Sequence, residues 1–160
     1  RGRATRPTAD RVREALFSIL GEVNGARVLD LFAGSGALAI EALSRGAGAA
    51  TLVDSFAASV AAIRCNLGEL ELKAEVRRQS VRSFLEAARR DGRQYDLAFV
   101  DPPYRLASDE LCGGLAHVLA PGARAVTESD RRRPLKLDLP ILDERRYGDT
   151  LIRIHHVPTR

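Results

Sequence analysis

The chain has 160 residues, 45% of them apolar and 29% charged, with a formal net charge of +4. That is enough to build one core and leaves no room for a second, so a single domain over residues 1–160 is expected. No run is long or apolar enough for a membrane span or secretion signal, and Cys65 and Cys112 lack metal-site spacing. The expectation is a cytoplasmic monomer with reduced, buried thiols and no metal.

Taken in order, the segment Arg1 to Arg13 holds five arginines against one acid, Asp10, the densest charge cluster in the sequence. Planar guanidinium groups suit phosphate, and only Lys73 and Lys136 are lysine, so a polyanionic partner is expected, with Arg6, Arg11 and Arg13 as nucleic-acid contacts, the alternative being a general compositional bias toward arginine. A helix is predicted from Thr8, a good N-cap after Pro7, with Val12, Ala15, Leu16, Ile19 and Leu20 on one face. There is no methionine, so the native start lies outside this sequence.

The apolar run Val28 to Leu31 predicts a buried parallel strand, and Gly34-Ser35-Gly36 a tight turn opening a helix over Ala37 to Arg45. A second strand, Ala50 to Asp54, places an acid where dinucleotide sites bind ribose, about 20 residues on. Ala39 occupies the third glycine position of G-x-G-x-x-G, and Asp30 would repel a pyrophosphate but could pair with an ammonium group. The cofactor inferred is cationic and lacks a pyrophosphate.

Helices over Ala57 to Leu70 and Ser83 to Arg90 flank a strand over Ala74 to Gln79. The strand Tyr95 to Val100 ends in Asp101-Pro102-Pro103-Tyr104, at a carboxyl end, where open α/β sheets bind ligands. A helix over Ser108 to Ala120, stopped by Pro121-Gly122, precedes a strand over Ala123 to Glu128. Arg131, Arg132 and Arg133 then form either a loop facing nucleic acid or a solvated charge run, and the last element is a hairpin over Asp143 to His155. His117, His155 and His156 have neither metal nor triad spacing and are read as structural.

Val28 to Gly36 resembles motif I of class I S-adenosylmethionine-dependent methyltransferases, and Asp101 to Tyr104 resembles the D/N-P-P-Y/F motif of amino-group methyltransferases. More narrowly, Arg6-Pro7-Thr8, Asp10 to Glu14, Leu16-Phe17, Leu29 to Leu38, Glu41 to Ala47 and Tyr147 to Thr150 look like the RsmD family, which methylates guanine N2 in bacterial 16S ribosomal RNA. The resemblance implies a Rossmann-like three-layer α/β sandwich, mostly parallel, with a C-terminal antiparallel hairpin. It implies that Thr8, Asp30, Phe32, Gly34 and Gly36 hold the cofactor S-adenosyl-L-methionine, with Asp54 at its ribose and Ser80 and Asp101 nearby. The partner implied is 16S ribosomal RNA in a small-subunit particle. Asp54 stands where the family usually has glutamate, and Ser80 where methyltransferases commonly present aspartate to adenine, so weaker adenine selection is expected.

An exocyclic amine has its lone pair delocalised into the base, so transfer requires acceptors for its hydrogens and alignment of the nitrogen with the methyl. The Asp101 carboxylate and Pro102 carbonyl would supply the acceptors, Pro103 would stiffen the loop, and Tyr104 would stack on the extruded base. A DNA adenine or cytosine methyltransferase shares this chemistry, but 160 residues leave no room for a target-recognition domain. A nonenzymatic nucleic-acid-binding module and, more remotely, a nicotinamide dehydrogenase are the other readings.

Overall fold

The computed structural model describes residues 7–102 and 114–159, with side chains from residue 10 onward. Arg6, the Thr8 side chain, Pro103, Tyr104, Cys112 and the first part of the helix expected from Ser108 lie outside the described residues. Within them the chain forms α1 (Pro7–Leu20), β1 (Arg27–Leu31), α2 (Ala37–Ser44), β2 (Ala49–Asp54), α3 (Ala57–Glu69), β3 (Glu75–Arg78), α4 (Val81–Arg90) and β4 (Tyr95–Val100). A short 3-10 turn (Ala116–Val118), β5 (Leu119–Asp130), β6 (Ile141–Tyr147) and β7 (Thr150–His156) follow.

The strands make one sheet in the order β3-β2-β1-β4-β5-β7-β6. The first five run parallel, because a helix or turn carries the chain back between them, and β7 is antiparallel to both neighbours. Val28, Leu29, Leu52, Val53, Leu97 and Phe99 are fully covered, as expected for strands with elements on both faces. One core layer joins Leu29, Leu31, Val53, Phe84, Leu85 and Val100 under α4, and the other joins Phe17, Val28, Leu52, Ile63 and Phe99 under α1, α2 and α3.

Helix α1 is tied down along its length. Phe17 packs on Phe99 with ring centroids 5.9 Å apart, and the Arg45 guanidinium lies 4.9 Å over the Phe17 ring. Arg45 also pairs with Glu41 at 2.7 Å and Glu14 at 3.8 Å, while Arg13 pairs with Asp10 at 2.7 Å and Glu41 at 3.9 Å. At the other end the Arg124 guanidinium donates to the Leu20 carbonyl, satisfying a terminal acceptor of the helix.

Several expectations are corrected. The segment before Pro121 is not a helix to Ala120: the chain is already strand at Leu119, and Pro121-Gly122 sit in an irregularity of β5, where the register jumps from Tyr95↔Leu119 to Leu97↔Arg124. His117 accordingly lies in the 3-10 turn. Helix α4 starts two residues before Ser83 because the Ser80 hydroxyl caps it, accepting from the Ser83 N–H at 3.0 Å. Helix α1 already includes Pro7, and Cys65, expected to be buried, is exposed. The hairpin is where it was expected, with Gly148 at φ +61° in its turn.

Candidate active site

Parallel pairing brings the carboxyl ends of β1, β2, β3 and β4 to one edge, so Asp30, Asp54, Ser80 and Asp101 gather there from four separate stretches of sequence. The turn after β1 supplies the floor. Phe32 takes φ +59°, uncommon for a bulky residue, and Gly34 and Gly36 take +62° and +83°. Strain of this kind is kept only where surroundings enforce it, and here they do. The Ala33 N–H donates to the Val53 carbonyl at 3.1 Å, and Asn66 Nδ2 donates to the Ser35 carbonyl at 3.0 Å.

Asp30 is buried, and its Oδ2 accepts from the Ala39 N–H at 3.2 Å, in the first turn of α2. Burial pushes its carboxyl well above the usual carboxylate range; the Ala39 bond opposes this, and the charges of Asp101 and Asp54 add to it. A cation placed among these three carboxylates would relieve that repulsion. Asp54 is also buried, with Oδ2 accepting from the Gly34 N–H at 2.9 Å and Oδ1 from the Phe56 N–H at 3.0 Å. Asp54 therefore shapes the Gly34 turn, while the second lone pair on each oxygen remains an acceptor for a hydroxyl.

Asp101 is exposed at the end of β4 and Pro102 is half-buried beside it. Arg131, Arg132 and Arg133 follow β5 on this same edge. Two of them pair with acids, Arg131 with Asp149 at 3.8 Å and Arg132 with Asp130 at 3.1 Å and Asp149 at 3.8 Å, and the Arg131 N–H also donates to the Asp149 backbone carbonyl at 2.8 Å. Arg11 is exposed on α1, whereas Arg13 is partly buried in its ion pairs with Asp10 and Glu41. No group of three or more histidine, cysteine or carboxylate residues that could hold a metal occurs among the described residues.

Two residues at this edge had escaped sequence reasoning. Asn66 interrupts the inward-facing run of α3 and reaches the turn, a polar residue in an apolar stripe being the available signal. Phe56 is 68% exposed between Asp54 and α3, and a single apolar residue in a loop carries no periodic signal.

The sequence profile of the family described as conserved hypothetical protein 95 matches residues 1–156. The chain belongs to this family. It is 46% identical over 102 residues to Ribosomal RNA small subunit methyltransferase D of Escherichia coli K12, a stretch covering 62% of this chain and 50% of that relative. The protein of the same name from Haemophilus influenzae is 34% identical over 137 residues, covering 81% of this chain and 70% of that one. The chain thus spans about half the length of the first of these relatives.

The solved structure of a hypothetical protein from Thermus thermophilus is 32% identical and superposes with a TM-score of 0.83, covering 98% of this chain and 91% of that one. The fold is also that of a T. thermophilus 16S rRNA N2 G1207 methyltransferase solved with AdoMet and guanosine, at 23% identity and a TM-score of 0.73, covering 96% of this chain and 43% of that one. The chain therefore has the methyltransferase α/β fold, a mostly parallel sheet closed by antiparallel strands.

Proposed function

We infer that this domain transfers a methyl group from S-adenosylmethionine to the N2 amino group of a guanine in 16S ribosomal RNA, in a small-subunit particle. The observation that carries the reading is the convergence of Asp30, Asp54 and Asp101 around the strained Gly34 turn at the carboxyl edge of the sheet. The buried pair Asp30 and Asp54 fits the group: buried carboxylates suit an ammonium and ribose hydroxyls, and a Cβ built on Gly34 meets nothing within 4 Å, leaving an open cradle. When bound, S-adenosylmethionine supplies an electrophilic methyl group.

Asp30 would face the cationic methionine portion, and Asp54 would accept from ribose hydroxyls while holding Gly34. The Asp101 carboxylate and Pro102 carbonyl would accept the two hydrogens of the guanine amine, so that its lone pair turns toward the methyl carbon. Asp101 would also take up, directly or through water, the extra proton that the amine nitrogen carries once it is methylated. The exposed Arg11, with Arg6 and the Arg131 to Arg133 loop, would contact phosphates around this edge. The kinship with the rRNA methyltransferases named above supports the substrate class.

The test is single-turnover methyl transfer to small-subunit particles with mapping of the modified base, run beside calorimetry with S-adenosylmethionine and with a nicotinamide dinucleotide. The wild-type chain should bind the first ligand only, and Asp101→Ala should keep that binding while transfer falls by roughly 10²-fold or more. Near wild-type transfer by Asp101→Ala would remove Asp101 from its role. Dinucleotide binding without S-adenosylmethionine binding would overturn the whole reading.

A further inference from the structure

Sheet order sets the acids of the carboxyl edge side by side. Asp54 closes β2, Asp30 lies in β1, Asp101 follows β4 and Glu128 lies near the end of β5, and these strands are neighbours in the order β2-β1-β4-β5. The first three acids have parts in the reaction proposed above. Glu128 stands next in the row, on the far side of Asp101 from Asp30.

Its position is set by strand pairing. Val100, the last residue of β4, pairs with Thr127, so Asp101 and Glu128 are the next residues of adjacent strands, their backbones about one strand spacing, ~4.8 Å, apart. Here β4 stops, while β5 runs on to Asp130, held by β7 through Glu128↔Ile152, Ser129↔Leu151 and Asp130↔Thr150. Strand side chains alternate between faces. Val126 and Ile152 are buried in the layer under α1, α2 and α3, and Glu128 falls two residues after the first and opposite the second, so it takes that face and is half-buried there. Asp30 pairs with Phe99 of the same layer, and the Asp101 charge acts on Asp30, so all three acids share one side of the sheet.

Guanine differs from the other amine-bearing bases in the group beside its amine. Its N1 carries a hydrogen, whereas the ring nitrogen next to the amine of adenine or cytosine is a bare acceptor. With the Asp101 carboxylate and the Pro102 carbonyl on the two amine hydrogens, N1–H is the next donor along the same edge. An extruded base is read through hydrogen bonds to that edge, and a donor shut away from water without an acceptor is penalised. A carboxylate one strand from Asp101 meets that need, and its lone pairs repel an acceptor in the same place.

We propose that Glu128 accepts the N1–H of the target guanine and thereby selects guanine over bases whose ring nitrogen beside the amine has no hydrogen. The proposal rests on the guanine reading above and deepens it, by naming a residue that reads the base as distinct from those that hold its amine. Glu128 lies on β5, two strands from Asp30 and three from Asp54, so its loss should leave cofactor affinity alone. An acid that only braced β5 would instead affect every substrate base to the same degree.

The experiment is single-turnover transfer by wild type, Glu128→Gln and Glu128→Ala to small-subunit particles assembled with guanine or with 2-aminopurine at the position where wild type places its methyl group. Calorimetry with S-adenosylmethionine and thermal melts are the controls, and all three proteins should bind that ligand equally. 2-Aminopurine keeps the amine but has a bare N1. Wild type should favour guanine by about 30-fold or more. Glu128→Ala should lose about 10- to 100-fold on guanine and change by less than about threefold on 2-aminopurine. Glu128→Gln, whose amide can donate to the bare nitrogen, should bring the two bases within about fivefold of each other. Equal losses on both bases, or a wild type that does not distinguish them, would overturn the assignment of Glu128. A wild type that binds S-adenosylmethionine but methylates neither base would overturn the guanine reading instead.

Discussion

Gly34 and Gly36 share a left-handed backbone, at φ +62° and +83°, yet are constrained by different surroundings. A Cβ on Gly36 would lie 2.9 Å from Leu52 Cδ2 and 3.4 Å from Ile63 Cγ1, inside the core, whereas one on Gly34 meets nothing within 4 Å. Either alanine costs about 1–2 kcal/mol of backbone strain, and Gly36→Ala adds about 1–3 kcal/mol of overpacking. Thermal melts should therefore separate the two, with Gly36→Ala the less stable. Calorimetry should show Gly34→Ala losing cofactor affinity, its methyl group entering the cradle; unchanged affinity would mean the cofactor does not approach that turn.

Asp30 poses the opposite balance. Its folded carboxyl is held above the unfolded value, so the folded state binds the extra proton. Stability then falls as pH rises from the ordinary carboxylate range through the folded value, and the deficit persists above it. Asp30→Asn should remove that slope and raise the melting temperature at neutral pH, by about 2–4 °C for each kcal/mol recovered, while weakening S-adenosylmethionine binding. Melts across a pH series check the first part, and a neutral-pH Tm at or below wild type would contradict it.

At the scale of elements, the turn after β1 depends on α3 as much as on its own glycines. Removing the Asn66 amide in Asn66→Ala frees the Ser35 carbonyl, a loss of about 1 kcal/mol, and should lower Tm by about 2–4 °C and weaken cofactor affinity a few-fold. Equal affinity by calorimetry would show that the turn holds its shape without α3. This contact also illustrates what the sequence could and could not disclose. The strands before Gly34 and Asp101 were legible because apolar runs ended in glycine or in Asp-Pro-Pro, and those endings put Asp30, Asp54 and Asp101 on one edge.

The elements that misled were those with two local meanings. Pro121-Gly122 reads as a helix stop, but in β5 it forms an irregularity, since pairing of Leu119 with Tyr95 outweighs helix propensity. Ser80 reads as a ligand acceptor at a strand end, yet the same position is an N-cap, and only the folded chain reveals that its oxygen is bonded to Ser83. The arginine-rich stretches likewise divide in space: Arg13 docks α1 onto α2, while Arg11 faces outward.

Across the whole molecule the two edges of the sheet do different work. Opposite the candidate site, Tyr95 Oη donates to Thr51 Oγ1 at 3.1 Å, Thr51 to Glu75 Oε1 at 3.2 Å, and Arg93 bonds both Glu75, at 2.7 Å, and Tyr95, at 2.9 Å. This ring clamps β2, β3 and β4 at their amino ends, and among the described residues no buried side-chain polar atom lacks a partner. On the far side His155 is buried with Nδ1 3.2 Å from the Leu139 carbonyl and Nε2 3.4 Å from Thr127 Oγ1, binding the loop before β6 to the sheet. Burial lowers its pKa, the Leu139 contact raises it, and the Arg153 charge lowers it. The unfolded chain therefore takes up the proton first, and stability present above about pH 6.5 is lost as pH falls through the folded value. Urea midpoints should drop between about pH 7.5 and 5, and His155→Gln should show a shallower drop; an equal slope would place the acid sensitivity elsewhere.

The place of β7 bears on how such a chain is made. It is synthesised after β6 yet lies between β5 and β6, pairing with β5 from Arg124↔His156 to Asp130↔Thr150. While the chain is still emerging from the ribosome, the five parallel strands have their partners, but the outer edge of β5 has none and β6 has no neighbour at all. That edge carries Ala125, Val126 and Thr127, all buried once β7 is in place. A nascent chain stalled before Thr150 would thus present an open, apolar strand to other chains, so translation through the last strand separates a closed sheet from an aggregation-prone one.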